Sequence, residues 1–175
     1  MTNKEKKEAI ASHFSSIMKI LDLDLNDDSL KDTPNRVAKM YVEELFEGLD
    51  KDKIPHIKKF ENSFEYKGMI LEKNISIYSL CEHHFVPIVG KAHVGYFANN
   101  KIVGLSKLNR IVNYFSKRPQ VQEKLTIQIV EFLKKELKTE DVACIIDAQH
   151  LCVSMRGVKD AVSYTHLRAH ETIPD

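Results

Sequence analysis

Cys81-Glu82-His83-His84 sets a thiol and an imidazole three residues apart, and His150-Leu151-Cys152 adds a second such pair far along the chain. One turn of chain can fold that first spacing around a single ion. Read as a strand running from Val142 to about Arg156, the second segment turns Ala148, His150, Cys152, Ser154 and Arg156 to one face. Cys144 shares that parity, but the intervening strand would hold it roughly 26 Å from Cys152, so a place in the core is expected for it. Cys81, His84 and Cys152 are then three ligands of the kind zinc prefers, and with three cysteines in all there is no fourth to close a tetrahedron. A vacant fourth position implies water whose pKa falls toward about 7. His83 and His150 remain as imidazoles suited to moving protons. Two other readings fit the same residues: a structural zinc with His83 or His150 as fourth ligand, and unrelated buried Cys and His.

A second group of residues suits an anion. Gly104-Leu105-Ser106-Lys107-Leu108-Asn109-Arg110 places a glycine-led turn at a helix start, where free backbone N–H groups favour phosphate, and Lys107 and Arg110 add charge on one face. The plain alternative is a solvated helix face. No Walker-type glycine loop occurs. Gln122-Glu123 opens another helix, where the default role of Glu is to complement the helix dipole. A carboxylate can also accept both adjacent N–H groups of guanine, the ring N1–H and the exocyclic amine, which adenine does not offer as a pair.

The elements that must position these residues follow from periodicity. Ile10, Phe14, Ile17, Met18 and Leu21 predict an amphipathic helix over Glu5 to Leu21, and Thr33 as cap with Pro34 at the first helical position opens a second, ending at Gly48. Asp50 to Asn62 read as a connection. Alternation through Ile75-Ile77-Ser79 and Ala92-Val94-Tyr96 predicts strands, with Asn99-Asn100 as a hairpin turn. Helices follow at Leu108–Phe115 and, after Pro119, at Leu125–Glu136. Helices, strands, helices and a final strand give an α+β fold with an antiparallel sheet. The expected division is a helical region over 1–60, a catalytic domain over 61–162 and an unstructured tail over 163–175.

The 175 residues carry 26 Lys+Arg against 25 Asp+Glu, a net charge of +1, so no bulk field draws the chain to nucleic acid or to an anionic membrane. The absence of a long apolar run and of a signal-like start predicts a cytoplasmic protein with no membrane span.

Taken together, Cys81-Glu82-His83-His84, Gly104-Leu105-Ser106-Lys107, Arg118-Pro119-Gln120-Val121-Gln122-Glu123 and His150-Leu151-Cys152-Val153-Ser154-Met155-Arg156-Gly157 closely resemble the GTP cyclohydrolase I family, from about Asp32 through Val158. The resemblance implies the tunnelling fold (T-fold), a toroidal homodecamer with sites between subunits, GTP and water as substrates, and Zn2+ as cofactor. It places zinc on Cys81, His84 and Cys152, catalysis on His83 and His150, and guanine recognition on Glu123 with Gln122 beside it. The triphosphate falls on Ser106, Lys107, Arg110 and Arg156, with Arg36 and Lys39 as further candidates. The implied reaction opens the imidazole ring of guanine at C8 and gives formate and 7,8-dihydroneopterin triphosphate, an entry to tetrahydrofolate and other pterins. Ser163 to Thr172 do not resemble the family's continuation, which reads as a truncated or non-native terminus. The competing expectation is therefore a non-hydrolytic nucleotide-binding module with a structural zinc, disabled by that end of the chain.

Overall fold

The computed structural model describes residues 1–159 and the strand Tyr164–Ala169. Helix α1, Asn3–Ile20, starts two residues earlier than its apolar spacing predicts, because Thr2 and Glu5 form a capping box. Of the apolar stripe expected to be buried, only Met18 is; Ile17 and Leu21 are exposed. Helix α2, Thr33–Met40, takes Thr33 into its first turn with Asp32 as cap, and passes into a π-helical turn, Tyr41–Leu45. Gly48 is not a left-handed stop. It sits in a 3-10 turn whose backbone lies so close to the Tyr114 and Lys117 carbonyl oxygens that a Cβ would collide with both.

The sheet follows. Strands β1 (Lys59–Glu61), β2 (Met69–Cys81), β3 (Pro87–Phe97) and β4 (Lys101–Val103) lead to helix α3 (Leu105–Ser116). Strand β5 (Pro119–Gln120), helix α4 (Gln122–Leu137), strand β6 (Val142–His150), the short helix α5 (Leu151–Ser154) and strand β7 (Tyr164–Ala169) complete the order. The main sheet is β5-β2-β3-β6-β7, antiparallel except for the β5–β2 pair. Its inner face supplies Ile75, Ile77, Ala92, Val94, Tyr96, Cys144 and Ile146. These pack on Leu108, Ile111, Val112 and Phe115 of α3 and on Leu125, Ile129 and Leu133 of α4. This is the α+β arrangement that the order of periodic segments predicts.

Three local expectations are corrected. Asn99-Asn100 turns the chain but makes no hairpin, because β4 pairs with β1, which comes from the segment read as a plain connection. The last strand stops at His150 rather than near Arg156. Its ladder with β3 ends at the Ile88–His150 pair, since β3 begins at Pro87, which has no N–H to extend it. The tail is not wholly unstructured, for Tyr164–Ala169 form β7 against β6, where unpaired backbone groups on the sheet edge accept a further strand. The remainder of the predicted tail, Ser163 and 170–175, lies outside the described residues.

Cys144 is fully buried and its thiol is pushed up to about 12 by desolvation. An acid raised in the folded state stays protonated while its unfolded counterpart ionises, so it stabilises the fold below pH 9 and loses that contribution as pH rises. Unfolding free energy should therefore fall between about pH 9 and 12 with a component of at most about 1.4 kcal/mol per pH unit that disappears in Cys144→Ala. Denaturant titrations across that range would check it.

Candidate metal centre and active site

Cys81 is the last residue of β2 and is anchored on both sides. Its N–H donates to the Val86 carbonyl (2.9 Å), and its backbone is in register with Gln120 of β5. The chain then reverses through Glu82, His83 and His84, with Glu82 N–H donating to the Gln120 carbonyl and Phe85 N–H to that of Cys81. Lys124 of α4 donates to the Glu82 carboxylate, ties the loop to that helix and holds the Glu82 carboxyl below the usual carboxylate range. Across the sheet, β3 pairs with β2 on one side and with β6 on the other, which brings α5 and Cys152 to the same end.

Donor atoms of Cys81, His84 and Cys152 consequently lie within 4.8 Å of one another, with Cys81 Sγ 3.9 Å from His84 Nδ1. Ligands on a tetrahedral zinc with bonds of 2.0–2.3 Å stand about 3.6 Å apart, so two thiols and one imidazole at this spacing fit such an ion. His83 Nδ1 is 3.8 Å from Cys81 Sγ on the same turn. Burial first, and then the adjacent Cys81 thiol, push the Cys152 thiol up. A bound cation would reverse that, because it favours the thiolate.

His150 stands at the end of β6 with its Nε2 2.6 Å from Gln122 Oε1. Gln122 is 2% exposed and its amide nitrogen donates to the Ile146 carbonyl (3.0 Å). Its oxygen therefore faces the ring, so in the network His150 Nε2 carries the proton and Nδ1 is the free acceptor. Burial holds His150 below the ordinary imidazole range, against the pull of the nearby Glu123 carboxylate. Arg156 donates to His84 Nε2 at 3.1 Å, which brings a guanidinium to the edge of the cluster.

Of the residues singled out in the sequence, one chain brings together Cys81, His83, His84, Gln122, Glu123, His150, Cys152 and Arg156. It does not bring Ser106, Lys107 or Arg110 to them. Asn109 of α3 donates to Glu72 (3.1 Å), and Cys81 lies at the other end of β2, roughly 30 Å of strand away. Lys107 and Arg110 instead line a cavity of about 500 Å³ with Lys53, His56 and Tyr114. Lys53 and His56 carried no sequence signal, since both fall in an aperiodic polar segment. Arg36 and Lys39 are exposed on α2, with Arg36 3.7 Å from Asp32.

The profile of GTP cyclohydrolase I matches residues 10–172. The chain belongs to this family. The match runs beyond Val158, where the residue-by-residue likeness was expected to end. Proteins named GTP cyclohydrolase 1 are 56% identical in Flavobacterium johnsoniae and 52% in Aeromonas salmonicida, each over 165 residues. These alignments take in 94% of this chain and 74% and 76% of the relatives. Among solved structures, the archaeosine synthase QueF-Like in its apo form superimposes with a TM-score of 0.52 at 13% identity, over 63% of this chain and all of that one. That likeness is one of fold alone, and it agrees with the tunnelling fold expected from the sequence. Among the described residues no helix is long and apolar enough to cross a membrane.

Burial and proximity predict how the thiols behave. In the metal-free protein a thiol reagent at pH 8 should label half-buried Cys152 fastest, Cys81 slowly and Cys144 not at all without denaturant. Stoichiometric zinc should protect the first two, as read by mass spectrometry of peptides.

Proposed function

We propose that this chain is a GTP cyclohydrolase I that opens the guanine imidazole ring hydrolytically and releases formate and 7,8-dihydroneopterin triphosphate. The observation that carries this reading is the convergence of Cys81, His84 and Cys152 within 4.8 Å, beside an imidazole whose proton is fixed by a buried amide. Zinc is the ion that two thiols and an imidazole suit, and when bound it supplies a Lewis acid and a water made acidic enough to attack at neutral pH.

The chain's own residues do the rest. Glu123, exposed at the start of α4, accepts both N–H groups on one edge of guanine, and this selects guanine over adenine. His150 is kept neutral by burial, with Nε2–H given to Gln122, so its Nδ1 is free to take a proton and pass it on. His83 or His150 delivers that proton to N7 of the base, because an unprotonated ring nitrogen leaves slowly. Holding the base at Glu123 and the phosphates on cations fixes C8 in place, a contribution that reaches several kcal/mol.

The separation of Ser106, Lys107 and Arg110 from Cys81 supports a site shared between copies. Ser106, Lys107 and Arg110 lie in the first turns of α3, toward Glu72 rather than toward Cys81 and His150, so we expect a second subunit to supply the phosphate cradle while Arg156 meets it from the first. We therefore expect a homo-oligomer, the decamer of the family, to be the active form, working in the cytoplasm.

The decisive experiment incubates zinc-loaded protein with GTP and follows formate release and pterin fluorescence alongside native mass. Product formation by an oligomer is expected, and an oligomeric, zinc-loaded protein that releases no formate would sink the reading. His150→Ala should keep its zinc and lose at least about 100-fold in turnover. Glu123→Gln should raise the KM for GTP at least about tenfold with unchanged zinc content, since a neutral amide presents only one acceptor to the donor pair.

A further inference from the structure

The loop between β2 and β3 contains a backbone outlier. Phe85, directly after His84, has φ of 52°, in the left-handed region that glycine enters at no steric cost and a phenylalanine does not. The conformation is required because Phe85 N–H closes the reversal onto the Cys81 carbonyl (2.8 Å), the left-handed ending typical of a helical turn. Burial does not impose it, since Phe85 remains 46% exposed. Its ring instead packs against two others, Phe46 with centroids 5.2 Å apart and Tyr41 edge-on at 6.5 Å, while Tyr41 and Phe46 lie 5.2 Å from each other.

Those two rings are neighbours for a specific reason. Tyr41 and Phe46 are five residues apart, a spacing that an α-helix would splay around its axis. The π-helical turn Tyr41–Leu45, closed by Phe46 N–H on the Tyr41 carbonyl (3.0 Å), brings positions five apart together. A π-turn, a strained loop residue and the cluster of Cys81, His84 and Cys152 are thus linked by ring contacts and one reversal of chain.

From this juxtaposition we infer that Tyr41 and Phe46 form an aromatic clamp on Phe85 that positions His84 for the metal, making these three rings positioning residues of the centre. The inference rests on the metal reading of Cys81, His84 and Cys152. The clamp holds the strained turn in the one conformation that directs His84 toward the two thiols. Without it the turn relaxes, and the site must be reassembled each time an ion binds.

The test measures zinc affinity of the full-length chain by competition with a chromophoric chelator, and the visible spectrum of the cobalt-loaded protein, neither of which needs GTP. Phe46→Ala should bind zinc at least roughly tenfold more weakly, the scale on which supporting residues act at metal sites, and should shift the cobalt bands. Phe46→Tyr, which keeps the ring, should restore both. A folded Phe46→Ala protein with wild-type zinc affinity, or with an unmoved cobalt spectrum, overturns the inference. If Phe46→Ala does not fold, Phe85→Ala decides, because it keeps a Cβ, and with it the strain of the left-handed turn, and removes the ring that the clamp grips. Tenfold weaker zinc binding in that variant supports the clamp and wild-type binding overturns it. An unsubstituted chain that binds no zinc overturns the metal reading and the clamp together, whereas equal affinity in all variants removes the clamp alone.

Discussion

Two thiols far apart in the chain can share an ion only if something fixes the distance between them, and here that is the pairing of β3 on both of its edges. Pro87 and Ile88 are held against Leu80 and Ser79 on one side, and Ile88 against His150 on the other. Cys81 and Cys152 each lie just beyond those pairs, so the register of three strands is also the geometry of the cluster. A slip of one residue would turn the inner face outward and carry Cys81 away from Cys152. The packing of α3 and α4 on the inner face prevents this, since Ile75, Ile77 and Ile146 reach the core only in the observed register.

Polar groups near the cluster are arranged with the same economy. Gln122 is buried at the head of α4, yet it leaves no bond unmade where it meets β6: its nitrogen serves the Ile146 carbonyl and its oxygen serves His150. A helix start, a strand end and a proton position are thereby tied to one amide. Lys124, two residues on, reaches back to Glu82 and ties the other side of the cluster to the same turn of α4. The first turn of α4 thus reaches His150 through Gln122 and Glu82 through Lys124, so one helix start is tied to both sides of the cluster.

Much of this could be read from residue types and periods. The Cys and His spacings identified the cluster, and the apolar repeats of Leu108–Phe115 and Leu125–Glu136 placed α3 and α4, because both helices bury a continuous stripe on a sheet. What was hidden depends on partners distant in sequence. The strand at Lys59–Glu61 exists because Lys101–Val103 offers it an edge, and the turn into α5 follows from a proline on a different strand. The stripe of α1 promised burial that only Met18 achieves. Lys107 and Arg110 share a helix face by their spacing, but nothing local shows that this face looks into a cavity lined also by Lys53 and His56. The π-turn at Tyr41 was equally invisible, since it lies within a helical period and changes only which rings meet.

The pairing of β7 on β6 has a different kind of consequence. It is made between main-chain amides and carbonyls, which every residue except proline carries alike, and it lies at the margin of the sheet rather than its middle. The central strands accept few alternatives at their inward positions, whereas this outermost ladder makes little demand on spelling. Lineages could therefore rewrite the letters of that segment freely while the architecture persists, and divergence there is a poor guide to whether the catalytic apparatus upstream has been inherited intact.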